Sequence, residues 1–457
     1  MPRSTVRAST AALIALALSL AAATASAETL NEALATAYAN NPTLQSARAQ
    51  LRQVDEQVPQ ALSNWRPTVD VEGSAGVAWE NDNARAAGSD DRTREPKSAS
   101  LNLTQPLYRG GRTVAQRDQA ENLVSAGRAQ LSSVEQQVLL QAVTAYVDVL
   151  RDLRVLDLTK NNQEVIAEQL KATRERFEVG EVTKTDVSQA EARLARAVAD
   201  RIQAQGNLTS SRAAFRQIIG MAPGKLDVPE LPGGLPGGEE EAIALSENAP
   251  VVGAAVFLER AARDGTDVVF GELLPTISLI GQVGADDEIT RENQRSTSAT
   301  ISAQVVIPLY QAGGVESRVR ESKQLTAQRR QELDEARRQA IQDATTAWQA
   351  LETARAQIES FNAEVESTQT ALDGVRQEQQ VGLRTVLDVL DAQQEVLNAQ
   401  VSLVTARRDS IVAAYQTFAA VGKLTAADLQ LPVELYDPEK HYREVRDKWF
   451  GLNASGQ

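Results

Sequence analysis

The sequence predicts a mainly α-helical chain with a small β-barrel part, built as two copies of one structural unit. Three observations predict it. No proline lies between Pro106 and Pro223 or between Pro308 and Pro432, so two stretches of more than a hundred residues are free of helix breakers. Landmarks then recur at a constant offset: Gly180 and Gly382, Thr183 and Thr385, Asp186 and Asp388, and Gly220 and Gly422 are each 202 residues apart. Ahead of each proline-free stretch, the apolar period changes from helical to alternating. With 42% hydrophobic but only 4% aromatic residues, the composition also suits long helices better than an aromatic-cored enzyme.

Taken in order, residues 1–27 read as a secretory signal: Arg3 and Arg7, an apolar run from Ala11 to Ala23, then Ala25-Ser26-Ala27 before the cleavage point. A transmembrane anchor is the competing reading, but the run is short and Ala-rich. After cleavage 45 basic face 61 acidic residues, a net charge near −16, which makes nucleic acid an improbable partner. No cysteine is present, which excludes disulfides, zinc–thiolate and iron–sulfur sites and a lipidated N-terminal Cys. No later stretch is expected to be apolar enough for a spanning helix, so entry into a membrane would have to be as a barrel.

The first repeat is placed at 28–223, with a strand pair at about 66–107 and a helical hairpin at about 110–220. Val69 and Val71 alternate with Asp70 and Glu72, and Leu101 and Leu103 with Asn102 and Thr104. The joining segment, Glu80 to Pro96, is polar and reads as a loop. Pro106-Leu107-Tyr108 and Gly110-Gly111 end the sheet. A stripe at Val134, Val138, Ala142, Ala145, Val149, Leu153 and Leu156 then marks a coiled-coil-like helix. Val179-Gly180 ends this helix, and Thr183 with Asp186 opens the return helix as a capping box. The descending helix would be roughly 100 Å long at about 1.5 Å per residue, far beyond what a globular domain needs.

A linker at 224–239, centred on Pro229 to Gly238, carries too many breakers for helix or strand. The second repeat, 240–423, has strands at about 274–309, where Ile277 and Leu279, then Ile301, Ala303, Val305 and Ile307, alternate with polar residues. Pro308-Leu309-Tyr310 and Gly313-Gly314 follow, then a hairpin at about 313–422 with Val381-Gly382 at its tip. Residues 424–457 form a tail. Strands of about ten residues with one apolar and one polar face suit a barrel wall, but four strands cannot close a barrel, so either several chains contribute or the sheet is not in a membrane at all.

Two strand pairs, Pro-Leu-Tyr with a following Gly-Gly, Val-Gly hairpin tips and the segment from Gly382 to Ala392 (GLRTVLDVLDA) together resemble the TolC family of outer-membrane efflux proteins. The tail from Tyr436 to Tyr442 is similar to C-terminal segments of that family in alphaproteobacteria. The resemblance covers nearly the whole mature chain. It implies a homotrimer in the outer membrane of a Gram-negative bacterium, closing a twelve-stranded barrel and a twelve-helix periplasmic tunnel. It further implies a passive exit duct of a tripartite efflux pump or type I secretion system, whose partners are a periplasmic adaptor, an inner-membrane transporter and outer-membrane lipid. Two other classes compete: a periplasmic adaptor, which should carry one hairpin with lipoyl-like and barrel domains, and an exported coiled-coil structural protein, which would lack repeated strand pairs.

Asp388 and Asp391 lie three apart on one helix face near the second tip, and threefold symmetry would gather about six carboxylates around a bore. Asp388 is explained equally by its cap; Asp391 has no capping role. The resemblance assigns both to acidic constriction rings, and it assigns Arg384 to a network that shuts the entrance, with Asp186 as its partner. Gln379 stands where the family often has a locking Tyr, so the lock here is looser or uses Glu378. Val179, Gly180, Glu181, Val381, Gly382 and Leu383 are candidate adaptor-docking contacts as well as turn residues. No enzyme is expected: G-x-S-x-G, the phosphate-binding G-x-x-x-x-G-K-[ST] and H-E-x-x-H are absent, and the single histidine, His441, is expected at the surface. No cofactor or resident metal is expected, although a carboxylate ring could be blocked by divalent cations.

Overall fold

A computed structural model describes residues 29–82, 90–289 and 293–453, so the expected leader lies outside the described residues. The elements are α1 (Leu30–Asn40), α2 (Pro42–Asp55), α3 (Gln57–Ser63), β1 (Thr68–Ala75), β2 (Ala78–Asp82), β3 (Asp90–Arg94), β4 (Lys97–Arg109), α4 (Arg112–Glu178), α5 (Lys184–Ile219), α6 (Glu239–Ser246), α7 (Pro250–Phe270), β5 (Thr276–Asp287), β6 (Arg295–Val306), α8 (Gly314–Gln380), α9 (Val386–Ala420) and α10 (Lys440–Val445). Both α4 and α8 have 67 residues, equivalent positions in the two repeats. The compact units do not coincide with the repeats. One comprises the chain up to 44, 135–246 and 343–435, the other 45–134, 247–342 and 436–457, so each takes a share of both repeats.

The second unit holds the sheet, a fully antiparallel meander in the order β1-β4-β5-β6. Register decides which residues share a face, because directly paired residues point the same way. Val69, Leu103, Gly281 and Ile301 form one row, and Val71, Leu101, Val283 and Ala299 the row two residues on. Alternating with them are the row of Asp70, Asn102, Gln282 and Thr300, between the two, and the row of Glu72, Ser100, Gly284 and Ser298, next after the second. One face is therefore apolar and the other polar, and the apolar face has no cover among the described residues: Ile301 is 81% exposed and Val71 75%. Asn102 donates to Asp70 Oδ2 across the polar face at 3.0 Å.

The segment from Glu80 to Pro96 is not simply a loop. It contains the two-stranded ribbon β2–β3, paired from Ala78↔Arg94 to Asp82↔Asp90. From Pro67 to Pro106 is 39 residues, against 33 from Pro275 to Pro308, and the longer connection makes room for the ribbon. Its pairing is carried by backbone hydrogen bonds, which polar composition does not reveal. A second correction concerns 239–273: an 18-residue window there has mean hydropathy 1.3, apolar enough by length and composition to cross a membrane. Pro250 at the start of α7 breaks the stretch into α6 and α7, and α7 carries Glu259, Arg260, Arg263, Asp264 and Asp267 on its second half.

At the foot of the sheet, register shifts between Pro106 and Tyr108, where proline withdraws a ladder donor. The chain then turns through Gly110 at φ 64°, and a Cβ built there would fall 2.3 Å from the Gly271 carbonyl oxygen. Both the left-handed backbone and the close approach demand glycine. Gly110→Ala is expected to destabilise the protein by about 1–3 kcal/mol, read as a lower denaturation midpoint, because neither backbone can give way cheaply.

The tail corrects a third expectation. His441 on α10 is buried, not at the surface: its Nδ1 lies 3.1 Å from Asp55 Oδ2 and its Nε2 3.8 Å from Glu56. Burial pushes the Asp55 carboxyl above its usual range, with the His441 contact opposing that shift. The Arg128 guanidinium lies over the Tyr442 ring, 5.1 Å from its centroid, and donates to Glu439 at 3.1 Å.

In the first unit the core runs along the helices. Tyr146 meets Phe215 at 6.3 Å, and its hydroxyl donates to the Asp227 carbonyl at 2.8 Å. Together with Leu235, packed against Leu351, Ala413 and Ala414, this contact pins the breaker-rich segment between the repeats onto the helices.

Candidate functional site

The two hairpin tips are built by the same backbone device. At the first, Gly180 takes φ 81°, its N–H donates to Phe177 O at 3.0 Å and that of Glu181 to Arg176 O at 2.9 Å. At the second, Gly382 takes φ 81°, its N–H donates to Gln379 O at 3.1 Å and that of Leu383 to Glu378 O at 2.9 Å. This six-to-one closure satisfies carbonyls left free at a helix C-terminus, and the left-handed glycine permits it.

Both return helices open with a complete capping box. Thr183 and Thr385 each accept from the backbone N–H three residues on, and the carboxylates of Asp186 and Asp388 bond back to the cap N–H at 2.8 Å. The cap hydroxyls also donate, at 2.7 Å to Asp186 and 2.8 Å to Asp388. These bonds, backbone first and hydroxyl second, hold both carboxyls below the usual carboxylate range. Asp186 is thus occupied by its own cap.

Side chains differ where the backbone agrees. In the first tip Arg176, before the glycine, pairs with Glu181 after it at 3.0 Å. In the second the polarity is reversed, with Glu378 before the glycine and Arg384 after it at 2.9 Å. Within the chain, then, Arg384 does not reach Asp186; its partner is Glu378, and this pair raises its already high pKa. Gln379 contributes its carbonyl to the turn. Val179, Val381 and Leu383 stand out at the tips, each more than 70% exposed.

Further from the tips, equivalent links cross each hairpin: Arg174 to Glu191 at 2.6 Å in the first and Arg376 to Gln393 at 2.8 Å in the second. The two hairpins also meet. Ile166, Leu170, Ala190 and Ala197 pack with Val386 and Leu390 of α9, and Leu372 packs on the other side with Val389 and Val396. Beside this seam Arg193 of α5 bonds Asp391 of α9. Asp391, which has no local role in the sequence reading, therefore carries an inter-hairpin ion pair, and Arg193 is a site residue that the sequence reading missed. Its only sequence signal is its place seven residues after Asp186, two turns along the same helix face. Among the described residues, no group of three or more His, Asp or Glu within one chain could hold a metal ion.

A sheet with a lipid-compatible face, in a chain with two 67-residue helices that are each about 100 Å long at about 1.5 Å per residue, fits an outer-membrane channel protein with a long periplasmic extension. The family model for "Outer membrane efflux protein" matches residues 33–221 and 244–423, one segment in each repeat, and the chain belongs to that family. It is 37% identical over 429 residues to the outer membrane efflux protein BepC of Brucella suis, covering 93% of this chain and 92% of BepC. Against the outer membrane protein TolC of Vibrio cholerae it is 27% identical over 414 residues, covering 88% and 92%. In structure it is similar to the Campylobacter jejuni CmeC outer membrane channel, with TM-score 0.79 at 19% identity over 92% of this chain and 89% of that one.

Proposed function

We propose that three copies close into a twelve-stranded barrel and form the passive exit duct of a tripartite efflux pump or type I secretion system. The observation that carries this reading is the sheet: it is two-faced and its outer strands, β1 and β6, have no partner on one side among the described residues. In an antiparallel meander of four strands β6 runs opposite to β1, so the β6 of one copy can pair antiparallel with the β1 of the next. Lipid would cover the apolar rows and water the polar ones.

The hairpin tips form the gate. Asp388 and Asp391 line the constriction, Arg384 with Glu378 and Gln379 holds the second tip, and Asp186 shapes the first. Exposed Val179, Val381 and Leu383, beside Gly180, Glu181 and Gly382, suit contact with a periplasmic adaptor that couples the duct to an inner-membrane transporter. Cleaving the Arg384–Glu378 clasp should loosen the tip. Purified protein in a planar bilayer is expected to give small cation-selective currents that rise in Arg384→Ser. Insertion of folded trimers that do not conduct in either form would overturn the gated-duct reading.

A further inference from the structure

Beyond the sheet, the second unit exposes an apolar group that channel activity does not require. Trp449 is 58%, Phe450 87% and Leu452 103% exposed, three large apolar side chains within four positions. Water is a poor solvent for such a group, and its place in the fold shows what suits it. The Arg66 guanidinium lies over the Trp449 ring, 4.7 Å from its centroid, and Nη1 donates to the Lys448 carbonyl at 2.7 Å. Arg66 is two residues ahead of β1, and Gln105 Nε2 on β4 donates to the Trp65 carbonyl at 2.8 Å. The tail is thereby fixed at the end of the sheet where strands pass into helices, opposite the β5–β6 turn.

That end already carries exposed aromatic residues, Trp65, Tyr108 and Tyr310. Rings with an apolar body and a polar edge gather where hydrocarbon meets headgroups. We propose that Trp449, Phe450 and Leu452 form an interfacial anchor that inserts into the periplasmic leaflet of the outer membrane, with phospholipid as its partner. Lys448 adjoins the anchor and supplies a cation for lipid phosphate, while Arg446 is held within the chain by Glu121, Tyr442 and Asp447. The lever holding it is rigid: Arg446 donates to the Tyr442 hydroxyl at 3.1 Å and lies 3.6 Å from Glu121 of α4, and His441 is buried against Asp55 of α2 one turn earlier. The tail is locked to helices up to Arg446, and its apolar residues follow immediately.

The inference rests on the membrane placement of the sheet, so its test carries a control on the sheet. The chain has no cysteine, and Phe450→Cys and Ile301→Cys each create one site for an environment-sensitive fluorophore without background. Each labelled trimer is placed in nanodiscs of phosphatidylethanolamine and phosphatidylglycerol, with or without brominated acyl chains, and in a lipid-free amphipathic polymer. The label at 450 is expected to lose emission to brominated lipid, less than the label at 301, and to be shielded from aqueous iodide only when lipid is present. Iodide quenching at 450 in nanodiscs, with 301 quenched by lipid, would overturn the anchor and leave the sheet in the membrane. Shielding at 450 without lipid would overturn it in favour of a neighbouring protein surface. Failure of lipid quenching at both positions would remove the membrane reading and the anchor with it.

Discussion

Ile301→Arg is expected to abolish accumulation of the trimer in the outer membrane, while Thr300→Arg, one residue away, is tolerated. Ile301 shares its row with Val69, Leu103 and Gly281 on the apolar face; Thr300 shares its own with Asp70, Asn102 and Gln282. An arginine facing hydrocarbon near the midplane costs about 2–4 kcal/mol, and a trimer meets that cost in each copy. An arginine facing a water-filled lumen keeps its hydration. Counting SDS-resistant trimers in membrane fractions separates the two. Loss in Thr300→Arg alone would mean that the faces are wrongly assigned, and tolerance of both variants would mean that the sheet does not meet lipid.

The second large effect concerns charge at the tips. Asp388→Asn with Asp391→Asn is expected to lower the ratio of cation to anion permeability by roughly tenfold, because a ring of carboxylates in a narrow bore concentrates cations. Reversal potentials under a salt gradient measure it. The pH dependence has a definite sign. The Thr385 N–H and hydroxyl hold the Asp388 carboxyl below its usual range, so its charge and its contribution to the tip are present above that range. Both are lost only as pH falls through the lowered value. In Asp391→Asn, where Asp388 is the remaining ring acid, selectivity should therefore persist through the pH range in which an ordinary aspartate titrates and fall only below it. Selectivity that disappears near neutral pH would rule Asp388 out as its source.

What the sequence disclosed was what local physics decides. Thr183 with Asp186 and Thr385 with Asp388 specify their caps within four residues, and Gly180 and Gly382 specify their turns. Alternation along β1 and β6 disclosed the faces, since the pleat puts every second residue on the same side. The ribbon β2–β3 stayed hidden because, after Ala78 and Trp79, its sequence is polar at every position (END and DDRTR), so alternation carries no signal. His441 stayed hidden because its burial depends on Asp55, 386 residues earlier in the chain. The pairing of Arg193 with Asp391 joins residues 198 apart on different hairpins. Nothing local marks either residue as a partner, and repeat symmetry does not help: the residue 202 positions after Arg193 is Glu395, and the one 202 before Asp391 is Gln189.

The two tips share a backbone and reverse its charge, Arg176 with Glu181 in one and Glu378 with Arg384 in the other. Around a threefold axis such a chain presents six loops whose outline repeats every sixty degrees and whose electrostatic pattern repeats only every hundred and twenty. Shape alone would let a docking ring sit in six equivalent rotations; charge leaves three. For a partner that docks on the tips as proposed, recognition becomes a problem of phase: turned by one loop, it finds the right contour and the wrong sign.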